Sequence, residues 1–539
     1  MIAPESTPSS AAQPPSADVV LVHGKVFTDD PTGRFAEAVA IAADRIIAVG
    51  RTSEIASLAD ARTQRIDLRG RTVIPGFNDA HVHHTPDPRA IVLPVTTMEP
   101  TWEEMLDALA VAVQDAPAGT WILGTHGITV VNEARATRFE LDRVAPAHPV
   151  RLNAYFGHGS VYNTRALTAL AISDEEPDPL GGCCERVAGA RRITGKLFGY
   201  AQWGPWRRLA DLASEAEAIA SAQQLAQEAL RYGVTSLQVF TLMPTDRYVR
   251  ALERAKLPIR VRVIRFPRTH AGARDLAEGR ALPRRSPAPA RVSVTGTKWL
   301  LDGTPLERRA ALRTSYRDRP GWSGDFYLPE AEMRAMLRES VAHDDPLLVH
   351  AVGDKTVATF LNAMEAESKD VTWKPRRVRI EHGDGLLPDL VPRARDLGVL
   401  VVQNPSHFAF TEVFAARYGG PHAYMAARSL IEAGIPFALG SDGPLNPYLN
   451  LLFAATHPAR PSEAITIPQA VEAYTRGAAH AEFEEEAKGT LAPGKLADLA
   501  VLSQDIFTIS PSDLLGTESV LTMVGGETAY DAGILTAPR

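Results

Sequence analysis

The sequence predicts an α/β protein. Its centre is a (β/α)8 TIM-type barrel, joined to a small β-domain built from both chain ends and carrying a large insertion after barrel strand one. Three observations predict this. Eight apolar, strand-like segments alternate with helical ones through the middle of the chain. The two ends share another texture, short alternating strands with tight turns. About 150 residues separate the first two barrel strands, far beyond an ordinary βα loop. At 539 residues, more than one packed unit is expected.

Residues 1–17 are rich in Pro, Ser and Ala, with no basic start and no apolar run. They read as a disordered tail rather than a secretory signal. Residues 18–72 and 488–539 are assigned to the composite β-domain. Within them Val19–Phe27 alternates and turns like a strand pair. Ala38–Gly50 reads as a hairpin about Ala43 and Asp44, Arg65–Leu68 as a short strand, and Asp498–Leu502 and Ser519–Asp531 repeat the pattern. The barrel is assigned to residues 73–487, with strands at Val73–His83, Val234–Phe240, Ile259–Phe266, Ser293–Leu301, Pro346–His350, Arg377–His382, Gly398–Gln403 and Ile435–Asp442. Helices are predicted between them at Ala213–Tyr232, Glu330–His343, Lys355–Ser368 and Ala423–Ala433. The inserted sub-domain covers roughly residues 85–210 and includes Trp121, His126, His158, Cys183 and Cys184.

Composition excludes several classes. A net charge of −7 argues against a nucleic-acid binder, which needs a basic face. No apolar run approaches the roughly 20 residues needed to span a bilayer. Two adjacent cysteines cannot form a disulfide framework, which fits a reducing cytoplasm. The expected partner is a small-molecule substrate, with a homo-oligomer left open. The pairs Arg284-Arg285 and Arg308-Arg309 read as solvated faces rather than anion sites.

The chemistry lies at the strand ends, where barrel enzymes place it. The first strand ends in His81 and His83, two residues apart and so facing one spot. Lys298 follows on strand four, His350 on five, His382 on six and Asp442 on eight. Neutral imidazole is a common ligand for zinc and similar metals. Any single histidine here could be a satisfied core residue; four at the correct strand ends are an improbable coincidence. Lysine is scarce, nine of 57 basic residues, and Lys298 sits in an apolar strand. Burial favours the neutral amine, which can take up carbon dioxide as a carbamate and bridge two cations. Taken alone it reads better as a snorkelling side chain; beside the other five residues the carbamate reading is favoured. Asp442, before a glycine turn, can serve as a helix N-cap or exchange protons with an activated water. No Gly-x-Ser-x-Gly elbow stands at a strand end, so serine chemistry is not expected.

With these residues in place the chain resembles the amidohydrolase superfamily, most closely its YtcJ-like branch. The resemblance rests on Pro75–His83, Gly157–Asn163, Lys298–Gly303, His350–Asp354, Arg379–Gly383, Gly440–Gly443 and Gly489–Leu499. It implies a metal-dependent hydrolase with a barrel and a β-sandwich from both chain ends. His81, His83 and Asp442 would bind the more buried metal, His350 and His382 the second, and Lys298, if carboxylated, would bridge them. The branch tends to carry a Gly-x-x-x-Glu pattern where this chain has Gly195 to Gly199. His350-x-x-x-Asp354 lacks the His-x-x-Glu of the purine and pyrimidine deaminases, which argues against deamination.

The expected function is hydrolysis of an amide, formamide or related C–N bond. Asp442 is the proton carrier, zinc is the expected divalent metal (one or two per chain), and His158 is a substrate-binding candidate. Trp121, His126, Tyr200, Trp203 and Phe408 are further pocket candidates, as consistent with packing. A mononuclear deaminase or isomerising enzyme, with Lys298 a plain amine, is the alternative. A non-catalytic, partner-binding descendant would be expected to lose ligands, and all six are present.

Overall fold

The structure is a computed structural model that describes residues 16–28, 34–277, 290–419 and 423–535. Eight strands form one parallel sheet: β1 (Phe77–His83), β2 (Val234–Phe240), β3 (Arg260–Arg265), β4 (Val292–Leu300), β5 (Leu347–Ala351), β6 (Arg379–His382), β7 (Leu400–Gln403) and β8 (Phe437–Leu439). Each pairs with the next in chain order. Most are buried along their whole length, as expected of parallel strands covered on both faces. The two ends of the sheet meet just beyond β8. There Asp442 N–H donates to His81 O at 2.9 Å and Ser441 N–H to Asp79 Oδ1 at 2.9 Å. This approach requires glycine at 440, since a Cβ there would lie 2.4 Å from His81 N.

Between β1 and β2 the chain forms a second, mixed sheet. Its order is Gly182–Arg186, Ile193–Gly199, Ser160–Tyr162, Val150–Ala154, Trp121–His126, Ala90–Val92. Leu93, Trp102, Met105, Leu109, Ile122, Val150 and Leu152 give this segment a core of its own. Helix Trp102–Ala112 starts where Thr101 and Glu104 form a reciprocal capping box. Helix Glu215–Arg231, capped the same way by Ser214 and Glu217, returns to the barrel. It buries Ala218, Ala222, Ala226 and Ala229, the i, i+4 stripe of a closely packed helix.

The chain ends form two further sheets, the first from N-terminal strands alone and the second from both ends. One has four strands: Ala17–Val22, Ala38–Ala42, Arg45–Gly50 and Ala59–Asp67. The other has six: Phe35–Ala36, Lys25–Phe27, Thr72–Pro75, Leu499–Leu502, Ser519–Val524 and Glu527–Asp531. Val19, Leu21, Val26, Ile41, Val73, Leu499 and Val501 share one core. No helix among the described residues is long and apolar enough to cross a membrane.

Several expected elements need correction. The segment Val73–His83 is two strands, because Thr72–Pro75 pairs with Leu499–Leu502 and only β1 joins the barrel. Gly76 makes the transfer: its N–H goes to Asp498 O at 2.9 Å, and a Cβ there would lie 2.3 Å from the Thr235 side chain. Val19–Phe27 does not pair with itself. Ala17–Val22 and Lys25–Phe27 enter different sheets, separated by a turn in which His23 has φ 56°. The predicted tail ends early, since Ala17 is already in a strand, its N–H bonded to Leu58 O at 3.0 Å. Residues 1–15, and Arg284-Arg285, lie outside the described residues. The strand at Arg65–Leu68 begins at Ala59. Helix Ala423–Ala433 shrinks to Arg428–Glu432, because Met425 (φ 58°) turns to bond Asp384 O and Glu463 accepts from Ala427 N and Ser429 N.

Candidate metal centre

All six expected ligand residues gather at the C-terminal end of the barrel. His81 Nε2 lies 3.4 Å from His83 Nε2, and Asp442 Oδ1 lies 3.5 Å from each. Three ligand atoms about 2.1 Å from one ion in tetrahedral geometry would be spaced about 3.4 Å apart. The set therefore fits a metal. Lys298 Nζ is 3.0 Å from His81 Nε2 and 3.5 Å from His83 Nε2. His81, His382 and Asp442 also form a cluster with one ligand atom each within 4.8 Å of the others. The His382 ring lies 4.6 Å from that of His350 and 5.1 Å from that of His81.

Protonation suits the same reading. Burial holds His81, His350 and His382 well below the usual histidine range, and enclosure by the surrounding residues lowers the more open His83 too, with Lys298 adding repulsion at each; this favours the neutral imidazole. A ligand imidazole has to be neutral. His83 is the open one of the group, its side chain 43% exposed. Burial lowers Lys298 to about 8, against the pull of Glu381 and Asp442. Its Nζ lies 4.0 Å from the centroid of Phe240, a contact that by itself favours the ammonium, so burial is what moves it towards the neutral amine. Burial raises Asp442 to about 7, outweighing Lys298. His382 (φ 67°) and Asp442 (φ 40°) sit in the left-handed region, a strain of the kind that concentrates at functional sites.

Residues that the sequence reading passed over hold these ligands in place. His81 Nδ1 meets Glu381 Oε2 at 2.5 Å, which leaves Nε2 for a metal. Glu381 is paired with Arg379, whose guanidinium also reaches Gln238 Oε1 at 2.6 Å and the Ala80 carbonyl. Below them Arg262 reaches Gln238, Asn78 reaches Glu482 and Glu482 pairs with Lys488, a polar column inside the barrel. His382 Nδ1 meets Asn404 Oδ1 at 2.8 Å, and His407 Nε2 is 3.6 Å from Asp442 Oδ2. The Arg-x-Glu spacing in the short buried strand β6 was a usable signal. Two opposite charges two residues apart face one side and neutralise each other.

Among the pocket candidates, His158 stands beside the centre, its ring 5.1 Å from that of His350. Its Nδ1 is 3.4 Å from Tyr327 Oη and 3.6 Å from Glu307 Oε1. Tyr200 and Trp203 pack edge-on against each other in the same aromatic wall. Trp121 and His126 lie in the inserted sheet, and Phe408 is buried and stacked on His457 at 3.9 Å, a packing role.

An eight-stranded parallel barrel with histidines, a lysine and an aspartate at its C-terminal end defines a metal-dependent barrel hydrolase. The chain belongs to the Amidohydrolase family, whose sequence model matches residues 64–530. It is 28% identical to the putative amidohydrolase YtcJ of Bacillus subtilis (strain 168), over 87% of this chain and 91% of that one. It is 26% identical to an N-substituted formamide deformylase of Arthrobacter pascens, over 95% and 98%. Among solved structures, an uncharacterized metal-dependent hydrolase from Pyrococcus horikoshii OT3 superposes with a TM-score of 0.71 at 19% identity, covering 92% of this chain and 99% of that one.

Proposed function

We propose that this protein is a zinc-dependent hydrolase of a small-molecule amide or formamide. The carrying observation is the near-equal spacing of His81 Nε2, His83 Nε2 and Asp442 Oδ1 at 3.4 to 3.5 Å. The deformylase relative supports a C–N bond as the target. In this reading His81, His83 and Asp442 hold one ion, and His350 and His382 hold a second. Lys298, if carboxylated, would supply a further carboxylate-like ligand beside His81 and His83. When bound, the metal supplies Lewis acidity that polarises a carbonyl and makes water a nucleophile near neutral pH. Asp442 accepts the proton that water loses and delivers it to the departing nitrogen. The balance is amide plus water to carboxylic acid plus amine.

The barrel, from Phe77 to about residue 487 with its insertion at about 85–210, then carries the chemistry, and the sheets of 17–75 and 499–531 form a composite β-sandwich beside it. The free thiols Cys183 and Cys184 support a reducing, cytoplasmic setting.

The test is a panel of N-formyl amines, N-acetyl amines and carboxylic esters, offered to chelator-stripped protein before and after zinc is restored. Release of formate or acetate together with the free amine, only in the zinc-restored sample, is the expected result. Ester cleavage alone, or turnover indifferent to the metal, would overturn the assignment.

A further inference from the structure

The pair Arg308-Arg309 divides into two unlike residues. Arg308 is tied down, its guanidinium 2.8 Å from Asp318 and 3.3 Å from Asn132 Oδ1. Arg309 is half-buried, and its guanidinium lies over the Phe198 ring, 5.1 Å from the centroid. No carboxylate among the described residues stands within ion-pair distance of it. The acids in its neighbourhood are spent elsewhere. Glu307 accepts from Thr304 N–H at 2.7 Å and faces His158. Asp178 accepts from Cys184 N–H at 3.1 Å and pairs with Arg186 at 3.4 Å, and Glu185 accepts from Thr194 Oγ1 at 2.7 Å.

Its position is next to the candidate centre. A Cβ on Gly303 would lie 2.6 Å from Arg309 Cβ and 2.6 Å from Tyr327 Oη, while the Gly303 carbonyl is 3.4 Å from His350 Nε2. Phe198 covers Gly159, the residue after His158. His158 Nδ1 and Glu307 Oε1, 3.6 Å apart, stand on that same side, and Phe198 is held in the inserted sheet by its pairing with Cys183. A guanidinium held against a ring keeps its planar fork, and that fork matches a carboxylate in a bidentate pair. Partly desolvated and without a counter-ion, it gains from an incoming anion more than an exposed arginine would.

We propose that Arg309 anchors a carboxylate on the substrate, remote from the bond that is cut, so that the substrates are N-acyl or N-formyl derivatives of an acid. This rests on the hydrolase reading above. The experiment compares N-formyl ω-amino acids of increasing chain length with their uncharged terminal amides on the zinc-loaded enzyme. For the best-fitting length, KM for the acid is expected to be at least tenfold below that for the amide. Arg309→Met should collapse that ratio towards one, and Arg309→Lys should keep part of it. Arg308→Met is the control that leaves the ratio in place. An equal KM for acid and amide in the wild type, or a ratio that survives Arg309→Met, overturns the proposal while the hydrolase reading stands. If no formamide is turned over, the hydrolase reading loses its formyl substrates. Calorimetric titration with glutarate and with its diamide then decides: glutarate binding that Arg309→Met abolishes supports the anchor. Binding that the variant keeps places the carboxylate on the metal, and no binding to the wild type removes the anchor as well.

Discussion

The two halves of the centre are built differently. Around His81 and His83 the polar atoms are close: their Nε2 atoms are 3.4 Å apart, Asp442 Oδ1 is 3.5 Å from each, and Lys298 Nζ is 3.0 and 3.5 Å from them. Behind His81 stands a buried carboxylate, Glu381, itself locked to Arg379. Around His350 and His382 the backing is weaker: an Asn404 amide oxygen at 2.8 Å, the Gly303 carbonyl at 3.4 Å and the Asp302 carboxylate no nearer than 3.8 Å. A carboxylate behind an imidazole makes it a stronger ligand than an amide or carbonyl does. The difference teaches that two ions bound here would be held unequally, the first tightly and the second loosely.

Asp442 faces both halves, with Oδ1 towards His81 and His83 and Oδ2 3.6 Å from His407 and 3.9 Å from His382. Its replacement therefore carries the largest expected effect. Asp442→Asn should cut kcat on the order of a hundredfold or more, given what a general base contributes. A variant that holds its metal and turns over normally would place the base elsewhere. Next in size is the contrast between His81→Ala and His350→Ala, read by elemental analysis. The first should leave the protein without tightly held metal, the second with about one equivalent. Equal losses would break the comparison. Lys298→Ala should behave like His350→Ala, with short carboxylic acids restoring part of the second equivalent.

A smaller effect is expected at Glu381→Gln. Removing a second-layer carboxylate lowers metal affinity about 10–100-fold. It also leaves the Arg379 charge buried alone, which costs roughly 3–5 kcal/mol of stability. Adding Arg379→Met should return much of the stability and none of the affinity. If affinity returns too, Glu381 acts on folding rather than on His81. The smallest effect should come from Asn404→Ala, a few-fold loss confined to the second equivalent, in line with a single neutral hydrogen bond of about 1 kcal/mol.

The same contrast separates what the sequence reveals from what it conceals. His81, His83, His350, His382, Lys298 and Asp442 were legible because they are ligand types at the ends of apolar runs. Glu381 and Arg379 stand in the same strand as His382, and their spacing marks them as a pair; their role behind His81 shows only once Gln238 and the Ala80 carbonyl are seen across the barrel. Asn404 and His407 follow β7, a strand that carries no ligand and so drew no notice. The barrel strands were found by apolarity and the long first interval by counting. The break at Gly76 was not, because an unbroken apolar run gives no sign that the chain changes sheets midway. That depends on Thr235 and Asp498, far along the sequence.

The transfer at Gly76 also dictates an order of events during synthesis. Thr72–Pro75, immediately before the strand that bears His81 and His83, is flanked by Leu499–Leu502. Asp442 reaches His81 only after β8 has been made. A ribosome adding roughly 5–20 residues each second takes on the order of half a minute to cover that interval. For this time the first two histidines are presented on a strand with neither its eighth neighbour nor its C-terminal one. A polypeptide released before Leu499 would carry all six ligand residues and the whole barrel sheet, yet the strand Thr72–Pro75 that leads into His81 and His83 would still lack its partner Leu499–Leu502.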